Sequence, residues 1–165
     1  MPERGRSRRG DAGTRRRGDE KQKRRQQAKG DGDKIMGNIR SHRELKVWQD
    51  AMEAAMEIFE ITKAFPPEKR YSLIDQMRRS SRSIASNISE AWRKRRYEAA
   101  FKSKLNDSES EACETQTWIE MALRCGYVDK NTAERLDKSY EALMGKLVSM
   151  IRDSHNWTIR DSSEN

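Results

Sequence analysis

Between Ile74 and Ala91, apolar or small residues recur as Ile74, Met77, Ser81, Ile84, Ile88 and Ala91, in steps of 3, 4, 3, 4 and 3. These steps line up one stripe of an α-helix and are incompatible with the two-residue alternation of a strand. The following segment repeats the pattern. Phe101, Leu105, Ser108, Ala112, Thr115, Ile119 and Ala122 form a second seam, in a helix expected from about Tyr97 to Cys125. Two long seams separated by a few residues require a partner surface of the same kind, so the flanking segments are read for further helices.

The flanks supply two. Ser41-His42-Arg43-Glu44 fits a capping box, with Ser41 as N-cap and Glu44 reaching back. Leu45, Trp48, Met52, Ala55 and Phe59 then follow at helical spacing, with Ala51, Ile58 and Phe65 widening the face. Phe65-Pro66-Pro67 ends this helix, because a residue preceding proline avoids the α region. Pro67 is placed to open the second helix, with Glu68 in its first turn. Gly126 stands where the third helix needs a left-handed C-cap. A fourth helix starts near Asp129 or Asn131, with Glu134 three residues after Asn131, and carries Leu136, Tyr140, Leu143, Leu147 and Ile151. The junction Arg93–Tyr97 has neither Gly nor Pro, so only a kink or short turn separates helices two and three. The expectation is an all-α fold, an antiparallel up-down four-helix bundle over residues 41–155, with a C-terminal tail over 156–165 in which Trp157 and Ile159 can fold back.

The N-terminus has a different character. Residues 1–34 hold 13 Lys+Arg against 6 Asp+Glu and six of the nine glycines, and their only apolar residues are Met1, Ala12 and Ala28. Of the chain's net charge of +8, +7 therefore sits here and +1 on the remaining 131 residues. Such a segment cannot bury enough apolar surface to offset its ordering entropy, so a disordered basic tail is expected over 1–40. It is open to three readings: an arm for nucleic acid, a solubilising tail, or an upstream extension with translation beginning at Met36.

Several classes are excluded as expectations. No run approaches the roughly 20 apolar residues of a membrane span, so no membrane partner is expected. The basic N-terminus is not followed by an apolar stretch and does not read as a secretory signal. Cys113 and Cys125 share one helix about 18 Å apart, too far to bridge, which fits a cytoplasmic, reduced protein. His42 and His155 lie near opposite ends of the folded region, each without a Cys or clustered carboxylate beside it. No metal site, Glu-x-x-His pair, phosphate-binding glycine loop or cofactor is expected, and no catalytic residue is assigned. The acidic run Glu109, Glu111 and Glu114 reads as a solvated or salt-bridged face. The chain is read as a non-enzyme.

On a helical wheel, residues 74–96 resolve into three stripes. Beside the apolar seam runs an uncharged polar line, Gln76, Ser80, Ser83 and Asn87, closing with Glu90. On the other side lie Arg78, Arg82, Arg93 and Arg96, with Arg79 at the border. Short hydrogen-bonding residues at core-like spacing point to a buried or interfacial network around Ser83 and Asn87, with Ser108 and Glu111 of the third helix as partners. The alternative is a weakly exposed polar face. Ser80, Ser81, Ser83, Ala85 and Ser86 also permit close approach of another helix.

LKVWQDA, FPPEKRYSLIDQMRRSSRSIASNISEAWRK and the SESE of the third helix closely resemble the four-helix-bundle proteins of the ribosomal RNA intervening-sequence family, over about Leu45 to Met150. Members of that family are often encoded inside large-subunit ribosomal RNA genes. The family pattern falls on Trp48, Ala51, Phe65, Pro66, Leu73, Gln76, Ser83, Ile84, Asn87, Ile88, Glu90, Ser108 and Glu111. It usually has Ala-Glu-Gly where this chain has Ser89-Glu90-Ala91, which favours a longer second helix here. The resemblance implies a homo-oligomer, with pentamers the expected form, and no known reaction. A similarly folded group assists the reverse transcriptases of diversity-generating retroelements and binds nucleic acid, which makes RNA or DNA a partner here by analogy.

Two functions follow as expectations. In one, an oligomer grips phosphates through Arg78, Arg79, Arg82 and the Arg93-Lys94-Arg95-Arg96 cluster, assisted by Lys102, Lys104 and the tail, with little sequence preference. Trp92 beside the cluster either stacks on a base or packs between helices. In the other, the bundle is a scaffold for a protein partner, and the arginines pair with acidic residues of neighbouring helices or subunits.

Overall fold

The computed structural model describes residues 39–159, without the side chains of residues 69–71. The expectations for residues 1–38 and 160–165 lie outside the described residues. Four helices dominate: α1 (Lys46–Ile61), α2 (Asp75–Lys94), α3 (Glu98–Arg124) and α4 (Lys130–Arg152). Each packs on its chain neighbours, and α4 closes onto α1. Cross-helix pairs run in opposite order along adjacent helices. Trp48 meets Ser89 while Thr62 meets Arg78. Thr115 meets Ser80 while Lys104 meets Asn87. Glu57 pairs with Arg135 while Asp50 pairs with Lys146. Neighbouring helices are therefore antiparallel.

The seams of α2 and α3 fall inside as spaced. All six residues from Ile74 to Ala91 and all seven from Phe101 to Ala122 are buried. Ser80 joins them, and the hydroxyls of Ser80, Ser81, Ser108 and Thr115 are bonded to helix carbonyls or to each other. Such small buried side chains let the two backbones approach closely, and α2–α3 is the most extensive helix contact in the bundle.

α1 differs from expectation. Its buried residues are Val47, Ala51, Ala54, Ala55 and Ile58, whereas Met52 and Phe59 are 39% and 38% exposed. The helix carries two apolar stripes, and the core takes the one built on alanines. The capping box is also replaced. Ser41 accepts from Arg43 N at 3.3 Å above a single 3₁₀ turn, Glu44 Oε2 accepts from Arg40 N at 3.4 Å, and α1 begins one residue after Leu45 without a side-chain cap.

Phe65 is extended at φ −72°, ψ 152°, as a residue before proline must be, and α1 has ended by then. The second helix does not run directly from Pro67. A 3₁₀ turn (Pro67–Lys69) and a π turn (Arg70–Ile74) precede α2. A π turn holds one more residue than an α turn, so it rotates the following seam by about 100° into register. At the other end α2 passes Ala91, which is fully buried, and stops at a short turn in which Tyr97 N bonds Lys94 O at 3.0 Å.

Gly126, at φ 72°, closes α3. Tyr127 N bonds Ala122 O and Gly126 N bonds Leu123 O, both at 2.9 Å, the paired bonds of a Schellman cap. Tyr127 then packs its ring on Phe65 at 5.4 Å. Asp129, not Asn131, caps α4 by accepting from Thr132 N at 3.0 Å. After α4 the chain returns along the α2–α3 turn. Ser154 donates to Glu98 Oε1 at 2.6 Å, Trp157 packs on the core, and Ile159 N bonds Arg95 O at 3.0 Å.

Candidate nucleic-acid interface

The arginine stripe of α2 divides by partner. Arg78 is half-buried over the Phe59 ring at 4.6 Å, and its Nε donates to Thr62 Oγ1 at 2.8 Å. It joins α1 to α2, an arrangement that removes part of its hydration. Arg79, at the border with the polar line, faces α3 and pairs with Glu111 and Glu114. Arg82 is exposed and donates only to Arg78 O. Arg93 and Arg96 are exposed, and among the described residues neither has an acidic partner. Lys94 lies 3.9 Å from Glu90, and Lys102 is 2.8 Å from Glu98. Lys104 is held between Glu90 and Asp107 at 3.1 and 3.2 Å.

Arg95 lies over Trp92, with the guanidinium 3.9 Å from the ring centre and Nη1 donating to Trp92 O at 2.7 Å. Burial, then the neighbouring charges of Arg93 and Arg96, lowers its pKa from the usual value, though an arginine remains charged. Trp92 is itself buried, so its face is occupied from within the chain. The cluster Arg93–Arg96 thus presents Arg93 and Arg96 outward around a stacked Arg95. From Arg82 to Arg93 the same edge of α2 runs for about 16 Å.

The polar line sits between α2 and α3, but its connections differ from the expected pairing. Ser108 donates to Ile84 O at 2.9 Å and Glu111 faces Arg79, so neither reaches Ser83 or Asn87. Asn87 Oδ1 accepts from Lys104 at 3.5 Å, Gln76 Oε1 accepts from Arg79, and Glu90 takes Lys104 and Lys94. Ser83 is half-buried and, among the described residues, makes no hydrogen bond. A buried contact of this face is Thr115 to Ser80 at 2.8 Å, which joins the α3 seam to the polar line in a pairing that periodicity cannot give. Burial, and then Glu114 and Asp107, raise the Glu111 pKa against the opposing pull of Arg79; its Oε2 is enclosed without a hydrogen-bond partner.

Phe59 of α1, expected in the core stripe, and Lys63 in the turn after α1 join this edge, because Arg78 and Lys63 both lie over the Phe59 ring. Among the described residues, no group of three or more His, Cys, Asp or Glu is arranged to hold a metal ion, and no helix is long and apolar enough to cross a membrane.

No curated protein matches the chain. A solved structure from Bacteroides thetaiotaomicron, described as a protein of unknown function from the S23 ribosomal protein family, is similar at 30% identity and a TM-score of 0.59. The match covers 64% of this chain and 95% of that one. The profile of the 23S rRNA-intervening sequence proteins matches residues 43–149, from the turn before α1 to the last turn of α4. With 107 of its 165 residues matched, the chain belongs to the 23S rRNA-intervening sequence protein family.

Proposed function

We propose that this chain is a non-enzymatic homo-oligomeric protein that binds RNA or DNA through the phosphate backbone, with little sequence preference. The observation that carries the reading is the outer edge of α2 and the turn after it, where Arg82 and Arg93 on the helix and Arg96 in the turn stand exposed without acidic partners among the described residues. Arg79, Lys94, Lys102 and Lys104 are already opposed by carboxylates and contribute less. Phosphates gain from cations that have no competing partner, and backbone contacts carry no base information. The family name ties these proteins to ribosomal RNA intervening sequences, and the resemblance implies assembly, with five subunits the expected form. Repeating a three-arginine edge around an oligomer raises avidity without new contacts. Exposed free thiols at Cys113 and Cys125 suit a reducing cytoplasm.

The four neutralised cations favour a second reading, an oligomeric scaffold for a protein partner without nucleic-acid contact. A titration separates the two. Full-length protein and its Arg82→Ala/Arg93→Ala/Arg96→Ala variant are titrated with labelled duplex DNA and single-stranded RNA across a salt series. Loss of three phosphate contacts should flatten the log–log salt slope on duplex DNA by about 2.7. An unchanged slope and affinity in the variant rejects the surface, and no binding by the wild type rejects the reading.

A further inference from the structure

The sequence's strongest apolar stripe on α1 is the one the core leaves outside. Met52, Met56 and Phe59 are 39%, 52% and 38% exposed, and Lys63 continues the stripe one turn on, in steps of 4, 3 and 4. Arg78 lies over Phe59. A helix with a second apolar stripe at coiled-coil spacing is built to bury both.

The opposite edge of the bundle carries a stripe with the same steps. Asp137, Glu141, Met144 and Val148 run along α4 beside α3, as the bonds from Gln116 Nε2 to Asp137 Oδ1 and Glu141 Oε1 at 2.9 and 3.1 Å establish. Among the described residues these two carboxylates face that amide and no cation. Met144 is half-buried and Val148 is 46% exposed. Along α1 the order is apolar then basic; along α4 it is acidic then apolar. Antiparallel packing of the two stripes therefore brings Met52 and Met56 to Val148 and Met144, and brings Arg78, over Phe59, and Lys63 to Glu141 and Asp137.

We propose that the α1 edge of one copy of this chain docks on the α4 edge of a second copy, head to tail. The inference rests on the homo-oligomeric reading above and names its interface. α1 and α4 are antiparallel within one bundle, so the same antiparallel contact between copies is satisfied when their bundle axes are parallel. A contact between two different edges is heterologous, and such contacts close into rings when the rotation permits. Apolar centres with charged rims of opposite sign are the composition of specific interfaces.

The test uses full-length protein in sedimentation velocity, at a concentration where the wild type is assembled. Met56→Glu blocks the α1 edge; Asp137→Lys/Glu141→Lys blocks the α4 edge. Each alone should run as a monomer with unchanged helical circular dichroism, since the replaced side chains lie at the surface. An equimolar mixture should form a 1:1 dimer and nothing larger, because one intact edge of each kind remains. Should Met56→Glu lose its helical signal, Met56→Gln introduces the lesion without a charge. If Met56→Glu dissociates while the α4 variant stays assembled, α1 meets α1 and the proposal is wrong. Continued assembly of both variants, or a mixture that stays monomeric, also overturns it. So does a Met56→Glu protein that keeps its assembly and loses duplex DNA binding, since the stripe then serves nucleic acid. A monomeric wild type instead removes the self-association reading beneath it.

Discussion

The indole Nε1 of Trp48 donates to Ser89 Oγ at 2.9 Å, tying the first turn of α1 to the last third of α2. Ser89 in turn donates to Ala85 O at 2.9 Å, so one hydroxyl serves two helices. Ser89 lies in the Ser-Glu-Ala that replaces the family's usual Ala-Glu-Gly. The serine supplies a bond that alanine lacks, and Ala91 occupies a fully buried seam position where α2 continues unbroken.

Ser89→Ala leaves the half-buried Trp48 indole without its acceptor. A loss of about 1 kcal/mol in urea unfolding is expected, together with a red shift of tryptophan emission. Unchanged stability and emission would show that water replaces the hydroxyl at no cost.

The α2–α3 interface depends on size as much as on hydrogen bonding. Ser80 is fully buried against Thr115, whereas Ser83, three residues on, is half-buried. Ser80→Leu should destabilise by about 1–3 kcal/mol through overpacking, and Ser83→Leu by clearly less. Comparable midpoints for the two in urea titrations would contradict the close approach described for this pair.

Gly126 tests backbone conformation alone, since a Cβ built there meets nothing within 4 Å. With φ at 72°, Gly126→Ala should cost about 1–2 kcal/mol from left-handed strain, read as a lowered urea midpoint with an unchanged m-value. A neutral substitution would mean that the α3 cap relaxes to another turn.

Two carboxylates should give opposite pH signatures. Burial works against ionisation of Asp50, but hydrogen bonds from Lys146 and Lys46 outweigh it and hold the pKa below 3.8. A lowered folded pKa contributes stability above the unfolded value, and that stability is lost as pH falls through the folded one. Asp50→Asn should therefore be less stable than wild type at neutral pH, with the gap closing in acid. Glu111 is pushed above 4.5, chiefly by burial. Its ionisation costs stability that builds as pH rises above 4.5 and is complete above the raised value, so Glu111→Gln should gain at neutral pH and lose the gain as pH falls towards 4.5. Chemical denaturation of both variants across pH reads the two signs.

The fold was legible where one residue pattern had one solution. The seams of α2 and α3 each consist of a single stripe, and every member is buried. α1 was legible only in part: Leu45, Ala51, Ala55, Ile58 and Phe65 are buried, whereas Met52 and Phe59, the bulky members of the expected stripe, stay at the surface. Periodicity locates stripes and cannot say which of two faces inward. The same limit applies to the candidate site. The arginine edge is visible in the spacing of Arg78, Arg82, Arg93 and Arg96, but which cations are neutralised depends on residues far along the chain. Arg79 meets Glu111 and Glu114, and Lys104 meets Glu90, because α3 runs back beside α2. Arg78 was absorbed by Thr62 and Phe59 for an equivalent reason across α1.

By placing its smallest side chains between α2 and α3, the chain has concentrated its stiffness in one pair of helices. That pair is a spar whose inner amides should be the slowest of the molecule to exchange with deuterium.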